Sequence, residues 1–400
     1  MSESSRYADL SVEYCGLKFP NPFLLASAPP AANGEMIKRA FSLGWGGAVT
    51  KTLKPDHMEI VDVRPRFAVM RDQGGKVAGF ENIELTTKRP FGVWCKEITA
   101  IKEQYPDRIL IASIMAEVLQ KDWQEMAVAL EAAGADAIEL NFSCPHGMPE
   151  KGAGAAIGQV ADITEMITVW VKTVVKIPVI VKLTPNVTSV VDIARAAVRG
   201  GADGFAAINT VQCLLGVDLD TFSPQPAVAD YSTYGGYSGA AVKPIGLRVV
   251  AQLAQNFPLP ISGIGGIASW EHAAEYMLLG ASTVQIGTAV MLEGYGIIND
   301  LIGGMTDYLH RKHFSSVQEL VGKSVNRLTD FAGLKKDSSL VARINRTLCV
   351  NCGLCADVCR DSGYSAIGMK AGEDMVVDSE SCDGCSLCTI VCPQKAIRIA

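Results

Sequence analysis

Two cysteine runs near the end of the chain share one spacing: Cys349, Cys352, Cys355 and Cys359, then Cys382, Cys385, Cys388 and Cys392. Both read CxxCxxCxxxC, and each is followed by an Ala-Ile pair, Ala366-Ile367 and Ala396-Ile397, so the segment is an internal duplication. Close CxxC turns bring three thiolates to one side of a compact cube, the convergence that iron-sulfur ligation requires. In two-cluster domains the last cysteine of each run serves the opposite cluster. Cys349, Cys352, Cys355 and Cys392 are therefore expected to hold one [4Fe-4S] cluster, and Cys359, Cys382, Cys385 and Cys388 the other. A pair of zinc sites also favours CxxC pairs, but gives no reason for the spacing of the third and fourth thiols.

Only Cys15, Cys95, Cys144 and Cys213 lie outside those runs. Disulfide-dense domains are secreted, whereas Met1-Ser2-Glu3-Ser4-Ser5-Arg6 has neither the basic start nor the apolar stretch of an export signal. Metal ligation is the expected use of the eight, and a cytoplasmic address follows. In one detail the duplication is imperfect. Arg360 stands where many ferredoxin halves place proline, as the second run does with Pro393, and Asp361-Ser362-Gly363 lengthens the turn.

At 400 residues and 48% hydrophobic, the chain as a whole is long and apolar enough to bury a large core. Gly, Pro or charge interrupts every apolar run before the roughly 18 residues of a membrane span, so no membrane partner is expected. A net charge of -6 argues against nucleic acid and leaves small-molecule chemistry.

Short apolar segments alternate with stretches of helical periodicity, the pattern of βαβ units. Eight strands are expected, at 23–27, 47–51, 109–114, 137–141, 179–183, 204–209, 261–264 and 283–287. Helices are expected between them, among others at 36–43, 123–133, 163–174 and 190–198. Eight units in this length suit an α/β (β/α)8 TIM barrel, with a doubly wound open sheet as the alternative. The intervals after strands two, four and six are much longer than the others. Extra material there would lie over the C-terminal mouth, and the Gly- and Pro-rich runs at 145–158 and 222–241 become candidate lids. The predicted organisation is a catalytic barrel over 1–311, a connector over 312–341 and a ferredoxin-like domain with two [4Fe-4S] clusters over 342–400.

A tail that carries single electrons calls for a cofactor that trades them for hydride, as flavin does. Ser262-Gly263-Ile264-Gly265-Gly266 ends strand seven and Gly287-Thr288 ends strand eight, where glycines let amide groups approach a phosphate. Lys51 ends strand two and Lys182 lies in strand five; a lysine in a buried strand is costly unless something electron-rich receives it. Snorkelling to solvent is the plainer alternative. Strand four runs into Asn141-Phe142-Ser143-Cys144-Pro145-His146-Gly147, where a cysteine heading a Gly-rich loop could give or take a proton. Asn82, Asn141 and Asn209 near one mouth can pair with both edges of a neutral, amide-containing ring.

These motifs resemble the dihydropyrimidine dehydrogenase family, in the bacterial NAD-dependent form whose subunit combines an FMN barrel with a two-cluster ferredoxin domain. The resemblance covers nearly the whole length. It rests on NFSCPHG at 141–147, FENIEL at 80–85, TKT at 50–52, VKLTPN at 181–186, INT at 208–210, YGGYSG at 234–239, GIGG at 263–266 and the cysteine runs. Dihydroorotate dehydrogenases share the barrel and the NxSCP element, but usually carry Asn where His146-Gly147 stands, and most lack the fused tail.

The resemblance implies that Ser27, Lys51, Thr52, Lys182 and Gly239 surround FMN, together with Ile264, Gly265, Gly266, Gly287 and Thr288. Asn82, Glu84, Asn141, Ser143, Asn209 and Thr210 would line a pyrimidine site, with Cys144 as general acid. The implied reaction is reduction of the 5,6 double bond of uracil or thymine, with hydride from FMN and a proton from Cys144. No GxGxxG opens a helix after a strand here, so NAD(H) and FAD are expected on a separate iron-sulfur partner subunit, making a hetero-oligomer. The alternatives are a dihydroorotate dehydrogenase, another FMN ene-reductase, or a non-catalytic electron-transfer module.

Overall fold

The computed structural model describes residues 8–142, 155–336, 339–369 and 374–400. Eight parallel strands close into a barrel in chain order: β1 (Phe23–Leu25), β2 (Gly47–Val49), β3 (Ile109–Ile114), β4 (Ala137–Asn141), β5 (Val179–Leu183), β6 (Gly204–Ala207), β7 (Ile261–Ile264) and β8 (Ala281–Ile286), with β8 pairing back onto β1. The closed ring excludes the open-sheet alternative. Covered on both faces, the strands read as near-continuous apolar runs. In β5 all five positions of Val-Ile-Val-Lys-Leu are buried, including Lys182.

Helices between strands form where the apolar stripe and a capping residue coincide. The Asn33 side chain accepts from the Met36 amide at 2.9 Å to open Gly34–Ser42, and Ser189 accepts from Asp192 at 3.3 Å to open Val190–Arg199. Such caps stabilise a helix by about 1 kcal/mol. Three tryptophans, Trp45, Trp94 and Trp123, are wholly buried in the same continuous core as the strands. At the barrel's N-terminal end a hairpin, Val12–Tyr14 with Leu17–Phe19, is tied down where Tyr14 donates to the Phe205 carbonyl at 2.9 Å.

The long intervals after β2 and β6 build one structure. Strands Phe67–Arg71 and Val77–Asn82 come from the first, and Val211–Cys213 and Gly235–Ser238 from the second. They join as one four-stranded antiparallel sheet, with Gly236 opposite Asn82 and Ser238 opposite Phe80. The candidate lid at 222–241 is partly built into this cap: Pro224–Gln225 pairs with Gly216–Val217, and Gly235–Ser238 is an inner strand of the cap sheet. The other candidate lid, at 145–158, lies largely outside the described residues.

The chain divides into two compact units at Leu328/Thr329. Residues that sequence alone suggests as connector begin as part of the barrel unit, since Val317 and Leu320 are fully buried in its core. In the second unit Ala342–Ile344 pairs antiparallel with Ile397–Ile399, and Ile367–Met369 with Met375–Val377. Its small core contains Cys355, Cys359 and Cys388 beside Ala366, Ile367 and Ile397.

Candidate active site and cysteine cavities

Every residue expected to surround FMN or pyrimidine, apart from Ser143 and Cys144, lines a single cavity of about 260 Å³. Ser143 and Cys144 lie outside the described residues. The cavity forms where the barrel's C-terminal ends meet the underside of the cap sheet, whose Phe67, Phe80 and Asn82 also line it.

Thr52 is the hub of its polar floor. The Thr52 hydroxyl accepts from Asn141 Nδ2 at 2.8 Å and lies 3.1 Å from Ser27 Oγ and 3.2 Å from Ser113 Oγ. Asn209 Nδ2 in turn donates to Asn141 Oδ1 at 3.2 Å. A relay of side chains at or just past the C-terminal ends of β1, β2, β4 and β6 thereby fixes the orientation of two amides. Asn82 approaches from above, tied to the cap strand by donation to the Gly236 carbonyl at 3.2 Å.

Both expected lysines are buried, and each meets a carboxylate instead of reaching solvent. Lys182 Nζ is 3.6 Å from Glu139 Oε1, with the Glu139 side chain fully buried. Gln285 Nε2 donates to the other Glu139 oxygen at 3.4 Å. Lys51 pairs with Glu84 Oε2, while Arg66 Nε contacts Glu84 Oε1 at 3.2 Å. Sequence reasoning missed Glu139, although a glutamate inside a strand of Ala-Ile-Glu-Leu-Asn was the available signal. It also missed Ser113, Gln285 and Arg66, whose neighbours are distant in the chain.

The end of β7 is shaped for close approach. Gly265 and Gly266 have φ of +124° and +68°, in the range that favours glycine. A Cβ on Gly266 would sit 2.8 Å from the Gly239 carbonyl and 2.9 Å from the Lys243 amide nitrogen. Tyr276 holds this turn from behind by donating to the Gly265 carbonyl at 2.7 Å. Thr288 lies 2.8 Å from Ser238, which links the end of β8 to the cap. These glycines, Thr288, the two lysines and the buried Gln285 Oε1, which has no hydrogen-bond partner among the described residues, suit a phosphate at one end and a polar ring at the other.

In the second unit the cysteines sort into two cavities. One is lined by Cys349, Cys352, Cys355 and Cys392, the other by Cys359, Cys382, Cys385 and Cys388. Among the described residues no group of three or more His, Cys, Asp or Glu side chains is arranged to hold a single metal ion. Cys359 Sγ accepts from the Ala366 amide and Cys392 Sγ from the Ala396 amide, both at 3.3 Å. The contact is the same although it spans seven residues in one half and four in the other. Helix Leu354–Asp361 and the left-handed Gly363 absorb the longer turn.

Comparison with known proteins agrees with this layout. A family model described as dihydroorotate dehydrogenase matches residues 9–309, and one described as 4Fe-4S dicluster domain matches 342–399. The chain is 42% identical over 362 residues to the Escherichia coli (strain K12) NAD-dependent dihydropyrimidine dehydrogenase subunit PreA, covering 90% of this chain and 87% of the relative. It is 42% identical over 339 residues to the chloroplastic dihydropyrimidine dehydrogenase (NADP(+)) of Arabidopsis thaliana, covering 82% and 80%. It is 37% identical over 325 residues to the catalytic subunit of dihydroorotate dehydrogenase B (NAD(+)) of Pyrococcus abyssi, covering 78% and 98%.

Proposed function

The chain belongs to the dihydroorotate dehydrogenase family, and from that premise we propose that this oxidoreductase reduces the 5,6 double bond of a neutral pyrimidine, uracil or thymine, using FMN and two [4Fe-4S] clusters. The observation that carries the reading is the convergence, in one cavity, of two carboxylate-paired lysines, an asparagine relay and a glycine cradle. The names of the 42% identical relatives support the substrate class.

In this reading Gly239, Ile264, Gly265, Gly266, Gly287 and Thr288 hold the FMN phosphate, and Ser27, Lys51, Thr52 and Lys182 its ring. When bound, FMN supplies hydride to the substrate and the clusters, on their two cysteine sets, supply electrons singly. Lys182, braced by Glu139, offers a fixed cation to an electron-rich ring. Asn141 and Asn209, held by Thr52 and by each other, present amides of set orientation to the carbonyl and N–H edges of a pyrimidine, with Asn82, Glu84, Ser143 and Thr210 completing its surround. Cys144 holds the proton destined for substrate C5, and the cap sheet keeps water from the cavity.

We read the electron source as a partner subunit carrying FAD, NAD(H) and iron-sulfur centres, so that the chain works in a hetero-oligomer. Support comes from the Escherichia coli relative, which is named as a subunit. The 37% identical Pyrococcus abyssi relative favours a second reading, oxidation of dihydroorotate. The deciding experiment is anaerobic assay of the purified chain with a reduced viologen donor and uracil, thymine or orotate. Formation of dihydrouracil is expected; turnover of orotate alone would transfer the assignment to the second reading.

A further inference from the structure

The relatives named above divide between substrates that differ by one carboxylate, because dihydroorotate carries one and dihydropyrimidines do not. A mouth that accepts the first needs an available cation, and one that accepts the second does better without it. Of the two lysines that line the cavity, Lys51, just past the end of β2, is the less deeply buried and so the one placed to receive such a group. Its ammonium is engaged by Glu84, which lines the same cavity. Lys51 and Glu84 side chains are both 11% exposed, so little water screens the pair. Arg66 takes the second Glu84 oxygen at 3.2 Å from outside the cavity, and is itself 35% exposed and open to solvent screening. Asp62 and Lys88, on the neighbouring loop, are satisfied by each other at 3.1 Å.

Resting on the reading above, we propose that Glu84, positioned by Arg66, makes the cavity refuse anionic pyrimidines. A carboxylate entering beside Lys51 meets the Glu84 carboxylate and must displace it from two cations. A neutral ring meets instead an acceptor for its N–H groups. Like-charge juxtaposition of this kind is how sites reject a wrong ligand without losing the right one. Arg66 carries no direct contact with the ligand in this scheme; it fixes the Glu84 carboxylate so that the barrier does not swing away.

The test compares two ligands of nearly equal size, orotate and its neutral 6-carboxamide, with uracil as reference. Binding to the flavin-loaded oxidised protein is followed by the change in flavin absorbance, so no turnover is needed. In the unaltered protein the carboxamide is expected to bind at least about tenfold tighter than orotate. In Glu84→Gln that gap should close, because Lys51 and Arg66 lose their counter-charge, and in Arg66→Gln it should narrow, because the Glu84 carboxylate loses one of the two cations that hold it in place. Equal binding of carboxamide and orotate by the unaltered protein, or a gap that survives Glu84→Gln, overturns the proposal. Failure of the underlying reading looks different: uracil would then give neither a spectral change nor turnover.

Discussion

Lys182 and Glu139 face each other across adjacent barrel strands, Nζ to Oε1 3.6 Å, with side chains 5% and 0% exposed. A pair this deep is costly to split, because the survivor is left charged without water. Glu139→Ala is expected to lower the unfolding free energy of the barrel by about 3 to 5 kcal/mol. Urea unfolding followed by tryptophan fluorescence reports this, since Trp45, Trp94 and Trp123 are all in that core. A loss below about 1 kcal/mol would mean that the pair carries no such weight.

Cys144→Ala should retain FMN and lower uracil reduction by roughly 10² to 10⁴, the usual contribution of a positioned acid. Flavin content and steady-state rate are measured on the same preparation. Turnover at the original rate would remove Cys144 from the proton's path.

Gly266→Ala places a methyl group within 2.8 Å of the Gly239 carbonyl at a φ of +68°. Flavin retained after gel filtration should fall sharply while the [4Fe-4S] absorbance of the second unit remains. Full flavin occupancy would show that the turn yields.

Cys392 sits with the first run and Cys359 with the second, so each substitution should cost one cluster. Iron analysis of Cys392→Ser and of Cys359→Ser should each fall from about eight toward four atoms per chain if every set holds a four-iron cube. Zinc at two atoms per chain in the unaltered protein would defeat the assignment.

On the cap sheet Glu81 is wholly buried on the strand that presents Asn82 to the cavity. Burial raises its carboxyl above the ordinary range; the Leu215 amide, the Cys213 thiol and the Gly235 amide pull the other way, but none reaches hydrogen-bonding geometry with its oxygens. Burial likewise pushes the Cys213 thiol up to about 12, with Glu81 adding to the effect. Both groups favour the protonated form in the fold. Glu81's contribution is therefore complete below its unfolded value, about 4.3, and is lost as pH rises through the raised one. The Cys213 contribution is lost between the ordinary thiol value of 9.0 and about 12. Glu81→Gln should flatten the first decline, by at most about 1.4 kcal/mol per pH unit, and Cys213→Ala the second. Parallel stability curves for variant and parent would reject both.

The barrel was legible because a parallel strand buried on both faces leaves an unmistakable apolar run; all eight expected strands exist, with ends shifted by a few residues. β2 stops at Val49, two residues early: the Thr50 amide still donates to Ile111 of β3, but Lys51 leaves the ladder and donates its amide to the Ala31 carbonyl. The cysteine sets were legible because their spacing is itself the geometry. The cap sheet was not: Phe67–Arg71 is half exposed and lacks clean alternation, and the Val77–Asn82 edge that pairs with Gly235–Ser238 finds its partner some 150 residues along the chain. The same distance hides Glu139 from Gln285. Local pattern announces an element, but pairings across the mouth emerge only once the ring has closed.

Barrel loops are commonly treated as interchangeable parts, each replaceable without regard to the others. Here two of them, rooted on opposite staves, are halves of one woven roof, so neither can be trimmed or transplanted alone without baring the backbone edge of its counterpart. Any lineage or engineer reshaping the ligand chamber must therefore change both insertions together, which narrows the routes by which such a scaffold acquires a different appetite.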